Sequence, residues 1–161
     1  MKSLTKKAWW LVTSTWAVLI FNLSRAPYSS ASSARSISKI LDWLSISILP
    51  RNLDRLNNLL RKSSHLTEYA VLAVFLYTSL KPVGDPSWSR KAALWALLAS
   101  GSYSLTDEFH QLFVPGRHAS LFDCLIDTAG ACLGLFVLSN AIVVLRRKQA
   151  GMLPQNHTGF S

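Results

Sequence analysis

Apolar positions gather along this chain in four runs, at residues 8–24, 65–80, 92–113 and 121–145. A transmembrane helix needs about 20 mostly apolar residues. Three of the runs approach or exceed that length, and the second would rise only about 24 Å as a helix. Basic residues bracket the runs: Lys2, Lys6 and Lys7 precede the first, and Arg146, Arg147 and Lys148 stop the fourth. A basic start before an apolar stretch is also how a secretory signal opens, with Ser32-Ser33-Ala34 a passable cleavage site. Trp9, Trp10 and Trp16 fit a compact signal core poorly, so the first run reads as a retained helix. The pattern predicts one domain over residues 1–148 and a disordered tail over 149–161.

The connection over residues 25–64 has a different pattern. Pro27 and the serines at 29–33 predict a loop. Ile37, Ile40, Leu41, Leu44 and Ile48 then recur at helical spacing; Pro50 interrupts, and Leu53, Leu56, Leu59 and Leu60 resume beside Arg51, Arg55 and Arg61. Such a segment is an amphipathic helix, or pair of helices, lying in the headgroup plane or packed on the end of a bundle. The expected fold is therefore all-α: a polytopic membrane bundle of about four transmembrane helices plus an amphipathic interfacial segment.

Composition supports that reading. Half of the 161 residues are hydrophobic and only 16% are charged, against roughly 25% in an ordinary soluble domain. The net charge of +9 could suggest nucleic acid, but the lysines and arginines lie between the apolar runs and at the termini. Membrane lipid headgroups are the expected partner, and nucleic acid is not. Cys124 and Cys132 stand roughly 12 Å apart along one helix, too far for a disulfide. Lysine and arginine totals nearly cancel between the two sides, so orientation rests on the charges next to the spans. These favour both termini in the cytoplasm. Oligomeric state is left open.

Parity of four crossings brings the end of the first run, the start of the second, the end of the third and the start of the fourth to one side. His65, Glu68, Asp107, Glu108, His110, Arg117, Asp123 and Asp127 all fall there. His65, Glu68 and Tyr69 share one helical face, and Asp107, His110 and Gln111 repeat the spacing, with Ser100 and Ser104 continuing the stripe. In the fourth run Asp123, Asp127, Gly130 and Gly134 lie within about 60° of one another. The acidic face is thus also the GxxxG face, where another helix can come close. A charge near a membrane centre costs about 2.5–3.5 kcal/mol on the insertion scale, so such residues have a function or a partner. Taken singly, each has a plainer reading: His65, Glu68 and Asp123 as helix-start residues, Arg117 in Pro115-Gly116-Arg117 as a turn residue, the glycines as packing.

Thr106-Asp107-Glu108-Phe109-His110-Gln111-Leu112-Phe113-Val114-Pro115-Gly116-Arg117, followed by Asp123 and Asp127-Thr128-Ala129-Gly130, resembles the signature of VanZ-like membrane proteins. Lys62, His65, Glu68 and Tyr69 match that family's second-helix motif, and Phe21, Ser24 and Pro27 its pattern at the end of the first helix. The resemblance covers about residues 11–138. It implies a multi-helix protein of the bacterial cytoplasmic membrane, in a family named for a member associated with resistance to the glycopeptide teicoplanin.

The residues suggest binding of, or action on, an anionic envelope lipid or an undecaprenyl-linked precursor. His65, Glu68, Asp107, Glu108, His110 and Asp127 are the candidate acid/base residues, with Glu108 or Asp107 orienting His110. Lys62, Tyr69, Gln111, Arg117 and Asp123 would contact the ligand, Lys62 and Arg117 holding its phosphate. No cofactor is expected. A divalent metal on His65, Glu68, Asp107, His110 and Asp127 is the alternative, although their spacing matches no known metal signature. A non-enzymatic role, the polar core serving helix assembly, is the third reading.

Overall fold

The computed structural model describes residues 5–24, 30–47, 49–82, 87–113 and 120–151. Among these the chain is all-α, with five helices: α1 (Lys6–Leu23), α2 (Ser30–Trp43), α3 (Pro50–Leu80), α4 (Arg90–Gln111) and α5 (Leu121–Gly151). Thr5 caps α1 by accepting from the Ala8 amide, and Ser89 caps α4 by accepting from Ala92. The serines expected in a loop instead form the first turn of α2 over residues 30–33. Helix α2 closes with bonds from Ile46 N to Leu41 O and from Ser45 N to Asp42 O, with Ser45 at φ 57°. That is the left-handed cap that satisfies two terminal carbonyls.

Two boundaries differ from the pattern. Pro50 does not interrupt a helix but opens α3, where its missing N–H and fixed φ suit the first turn. No glycine or proline follows before Leu80, so the expected amphipathic segment and the short second run form one helix of 31 residues, about 46 Å long. At the other end Arg146, Arg147 and Lys148 flank the apolar run without stopping it. All are good helix formers, and α5 continues to Gly151, past the expected start of the tail. The rest of the expected tail lies outside the described residues.

Helix α3 is the hub, packing on α5, α4, α1 and α2. Against α5 it comes backbone to backbone: a methyl group at Gly130 would run into the Leu66 carbonyl, and one at Gly134 into that of Ala70. Trp16 and Phe75 meet edge to face at 5.8 Å between α1 and α3, and the Tyr103 hydroxyl of α4 donates to Ala17 O at 2.6 Å. One apolar cluster, Ala73, Tyr77, Ala92, Ala96, Ala131 and Leu135, fills the half of the bundle nearest the α3–α4 connection. The other half is polar. Its buried side chains include Ser100, Ser104, Asp107, Glu108, Gln111, Asp123 and Asp127, while Leu98, Leu125, Phe136 and Val137 stand exposed. Among the described residues one stretch, Leu121–Gln149, is long and apolar enough by composition to cross a membrane, with mean hydropathy 2.1 and only 22% of its most apolar window buried.

Candidate functional site

The polar half is assembled from four helices whose ends meet. Asp127 of α5 is at its centre and wholly buried. Ser104 Oγ of α4 donates to Asp127 Oδ2 at 2.6 Å, and His65 Nδ1 of α3 stands 3.3 Å from Asp127 Oδ1. The His65 contact is close but off the hydrogen-bond line. Such pairs are often loose before a ligand is present. His65 also lies within electrostatic reach of Glu68 and Asp107.

Each remaining carboxylate has its own anchor. Asp107 Oδ2 accepts from Ser24 Oγ at the end of α1 at 2.7 Å, and from Gln111 Nε2 at 3.0 Å. Glu108 Oε2 accepts from the Ser120 amide, which precedes α5, at 2.6 Å. Asp123 accepts from Lys62 Nζ at 2.9 Å and faces Arg61 at 3.8 Å. One oxygen is left over on each of three acids: Asp107 Oδ1, Glu108 Oε1 and Asp127 Oδ1 have no hydrogen-bond partner among the described residues. A buried acceptor without a partner costs about 1–3 kcal/mol.

A cavity of about 360 Å³ reaches this cluster from the side of α2. Ser24, Ser36, Arg61, Ser64, His65 and Glu68 are among the residues that line it. The N-terminal half of α3 and the α2 packed on it therefore roof the polar end, and the cavity runs beneath that roof to His65. At the far end the Ala–Tyr–Leu cluster closes the bundle.

Most of the expected residues converge. His65, Tyr69, Asp107, Glu108, Gln111, Asp123 and Asp127 are buried together, with Glu68 half-buried on the cavity wall. Two expectations change. His110 is half-buried and tilts against the Phe21 ring at 4.5 Å, and its Nε2 has no hydrogen-bond partner among the described residues. Among the described residues the carboxylate within ion-pair distance of an imidazole is Asp127, facing His65, while Asp107 accepts from Ser24 and Gln111 and Glu108 from Ser120. Lys62, expected to hold phosphate, is engaged with Asp123 and lies 4.8 Å from the centroid of the Phe122 ring. Arg117 lies outside the described residues. Ser24, Arg61, Trp16 and Ser120 were not singled out as site residues. Ser24 carried a signal, standing in the pattern at the end of the first helix; a tryptophan whose Nε1 donates to the Glu68 carbonyl at 3.0 Å carries none.

Among the described residues no group of three or more His, Cys, Asp or Glu is arranged to hold a metal ion. The arrangement is instead suited to holding and moving a proton. With Nδ1 turned to Asp127, the His65 ring presents Nε2 as its other proton-exchanging atom, and Arg61 adds a cation on the same cavity wall.

No curated protein and no solved structure matches the chain. The family model described as VanZ/LLP1 matches residues 9–145. That stretch contains Ser24, Lys62, His65, Glu68, Asp107, Glu108 and Asp127, the residues that build the polar end, and the chain belongs to the VanZ/LLP1 family.

Proposed function

We propose that this protein spans the bacterial cytoplasmic membrane with α1, the C-terminal half of α3, α4 and α5, and that its polar end binds and acts on the anionic headgroup of an envelope lipid or lipid-linked precursor. The membrane reading is supported by the inverted distribution of side chains, carboxylates inside and leucine, phenylalanine and valine outside. Water would penalise that surface and a bilayer would not. The single observation that carries the functional reading is Asp127, wholly buried between Ser104 and a His65 that lines a cavity flanked by Arg61.

In this reading Arg61 takes the phosphate, and the cavity admits the headgroup toward His65. Asp127 fixes the imidazole and stabilises its protonated form while Nε2 gives or takes a proton. Ser104 holds the second carboxylate oxygen. Asp107, anchored by Ser24 and Gln111, keeps α1 against α4 so that the cavity retains its inner wall. A link to glycopeptide susceptibility follows from the family name alone and is part of the proposal.

The test is to express His65→Gln and Asp127→Asn at matched membrane levels in a strain lacking the gene. Lipid extracts and teicoplanin susceptibility are then compared with the wild-type chain. Both variants should insert normally and fail to restore the lipid profile. A second reading has its own support: the bonds Ser24–Asp107, Lys62–Asp123 and Glu108–Ser120 tie α1, α3, α4 and α5 together, as an assembly device would. Under it, the same two variants would lose membrane accumulation or thermal stability before any lipid changed.

A further inference from the structure

On the other side of α3 from the cavity, between α3 and α5, lies an open groove of about 540 Å³. Leu66, Ala70, Val74, Phe75, Gly134 and Val137 line most of it. Thr67 is its one polar lining residue, and the Thr67 hydroxyl is occupied by the Ser63 carbonyl at 2.8 Å. The furrow runs alongside the seam where Gly134 brings α5 close to the α3 backbone.

The head of the groove is cationic. Lys62 lies one turn above Leu66 on the same face of α3. Lys62 and Arg61 both approach Asp123, at 2.9 and 3.8 Å, so two cations share one carboxylate. Their side chains keep 31% and 27% of their exposure, enough to meet a second anion. Phe122 lies under the Lys62 ammonium, and the α5 wall of the groove runs through Leu133, Val137 and Ala141. An apolar furrow of membrane depth below a net positive head is complementary to one kind of molecule.

We propose that the α3–α5 groove holds a tail of an anionic phospholipid whose phosphate rests against Lys62. This is a second lipid position. The cavity uses the Ser64 and Glu68 side of α3, about 200° from Leu66 around the helix. It rests on the membrane-spanning reading above, since a lipid tail reaches the groove only within a bilayer.

The protein is placed in phosphatidylcholine nanodiscs with phosphatidylglycerol as the minority lipid. A photo-crosslinking residue stands at Val137 in the groove or, as control, at Leu125 on the exposed face of α5. Mass spectrometry of the adducts should show phosphatidylglycerol enriched at Val137 over its bulk share, and bulk composition at Leu125. Lys62→Gln should lower the enrichment about fivefold. Val71→Trp, which fills the groove and touches no ion pair, should suppress the Val137 adduct in a chain that still folds. Bulk lipid composition at Val137, or a covalent dimer in place of a lipid adduct, would overturn the site while leaving the membrane reading intact. Lipid adducts at neither position would remove both.

Discussion

Asp127 is where the chemistry of single residues can be tested most sharply. Its two oxygens serve different partners, so two substitutions separate charge from shape. Asp127→Asn keeps the volume and can still accept from Ser104 through its amide oxygen. It loses the charge that steadies a protonated His65. Activity should fall by about two to four orders of magnitude, the usual share of a general acid or base, with thermal stability in detergent little changed. Asp127→Ala strands both His65 and Ser104 in a buried place and should cost about 3–5 kcal/mol, read as a lower unfolding temperature. A comparable collapse with asparagine would mean that the charge serves the fold. Trp16→Phe probes a quieter contact: it removes the donor to the Glu68 carbonyl while keeping most of the ring against Phe75. The expected loss is about 0.5–1.5 kcal/mol, measured by the same melts.

Helix packing depends on glycines that are not equivalent. At Gly134 an added methyl meets the Ala70 carbonyl, a backbone atom that no rotamer change can move aside. Gly134→Ala should therefore push α5 off α3 and destabilise the protein by about 1–3 kcal/mol, as overpacking does. At Gly101 the nearest atom to an added methyl is Thr128 Oγ1, at an ordinary 3.9 Å. Gly101→Ala should instead stabilise by about 0.5–1 kcal/mol through the lower entropy of the unfolded chain. Opposite shifts in the two melting temperatures check the seam directly, and equal shifts would mean that α3 and α5 are farther apart. The GxxxG was readable because Gly130 and Gly134 share a face with Asp123 and Asp127. The length of α3 was not: its polar stretch Arg61-Lys62-Ser63-Ser64 resembles a connection when apolar spacing is the only guide. A helix persists there because no residue in it breaks one. Nor were the partners readable. Lys62 with Asp123 and Ser24 with Asp107 are 61 and 83 residues apart, and only the register between helices chooses among acids on the same face.

For the whole molecule, the polarity of the bundle sets which compartment the site serves. The carboxylates occupy one half, and the buried alanines, Tyr77 and Leu135 close the other, so in the proposed reading a polar ligand would reach His65 from one side only. Parity expects the acids on one side whichever way the chain is inserted, and in the structure Ser24 meets Asp107, Lys62 meets Asp123 and His65 meets Asp127. Orientation requires a separate argument. The basic residues nearest the proposed spans, Lys6 and Lys7 at the start of α1, Arg90 and Lys91 at the start of α4, and Arg146 to Lys148 at the end of the apolar run, lie at the end away from the acids. Such charges are retained in the cytoplasm. The polar end, with α2 above it, should then face outward. Single cysteines at Ser38 on α2 and at Ser87 before α4, in a chain with Cys124 and Cys132 replaced, measure this. An impermeant maleimide on intact cells should label position 38 and should reach position 87 only after permeabilisation. The reverse pattern would turn the site toward the cytoplasm and change the accessible substrates to lipid precursors of the inner leaflet. Equal labelling of both positions would mean that α3 does not cross the membrane, and the proposed four-span arrangement would fail with it.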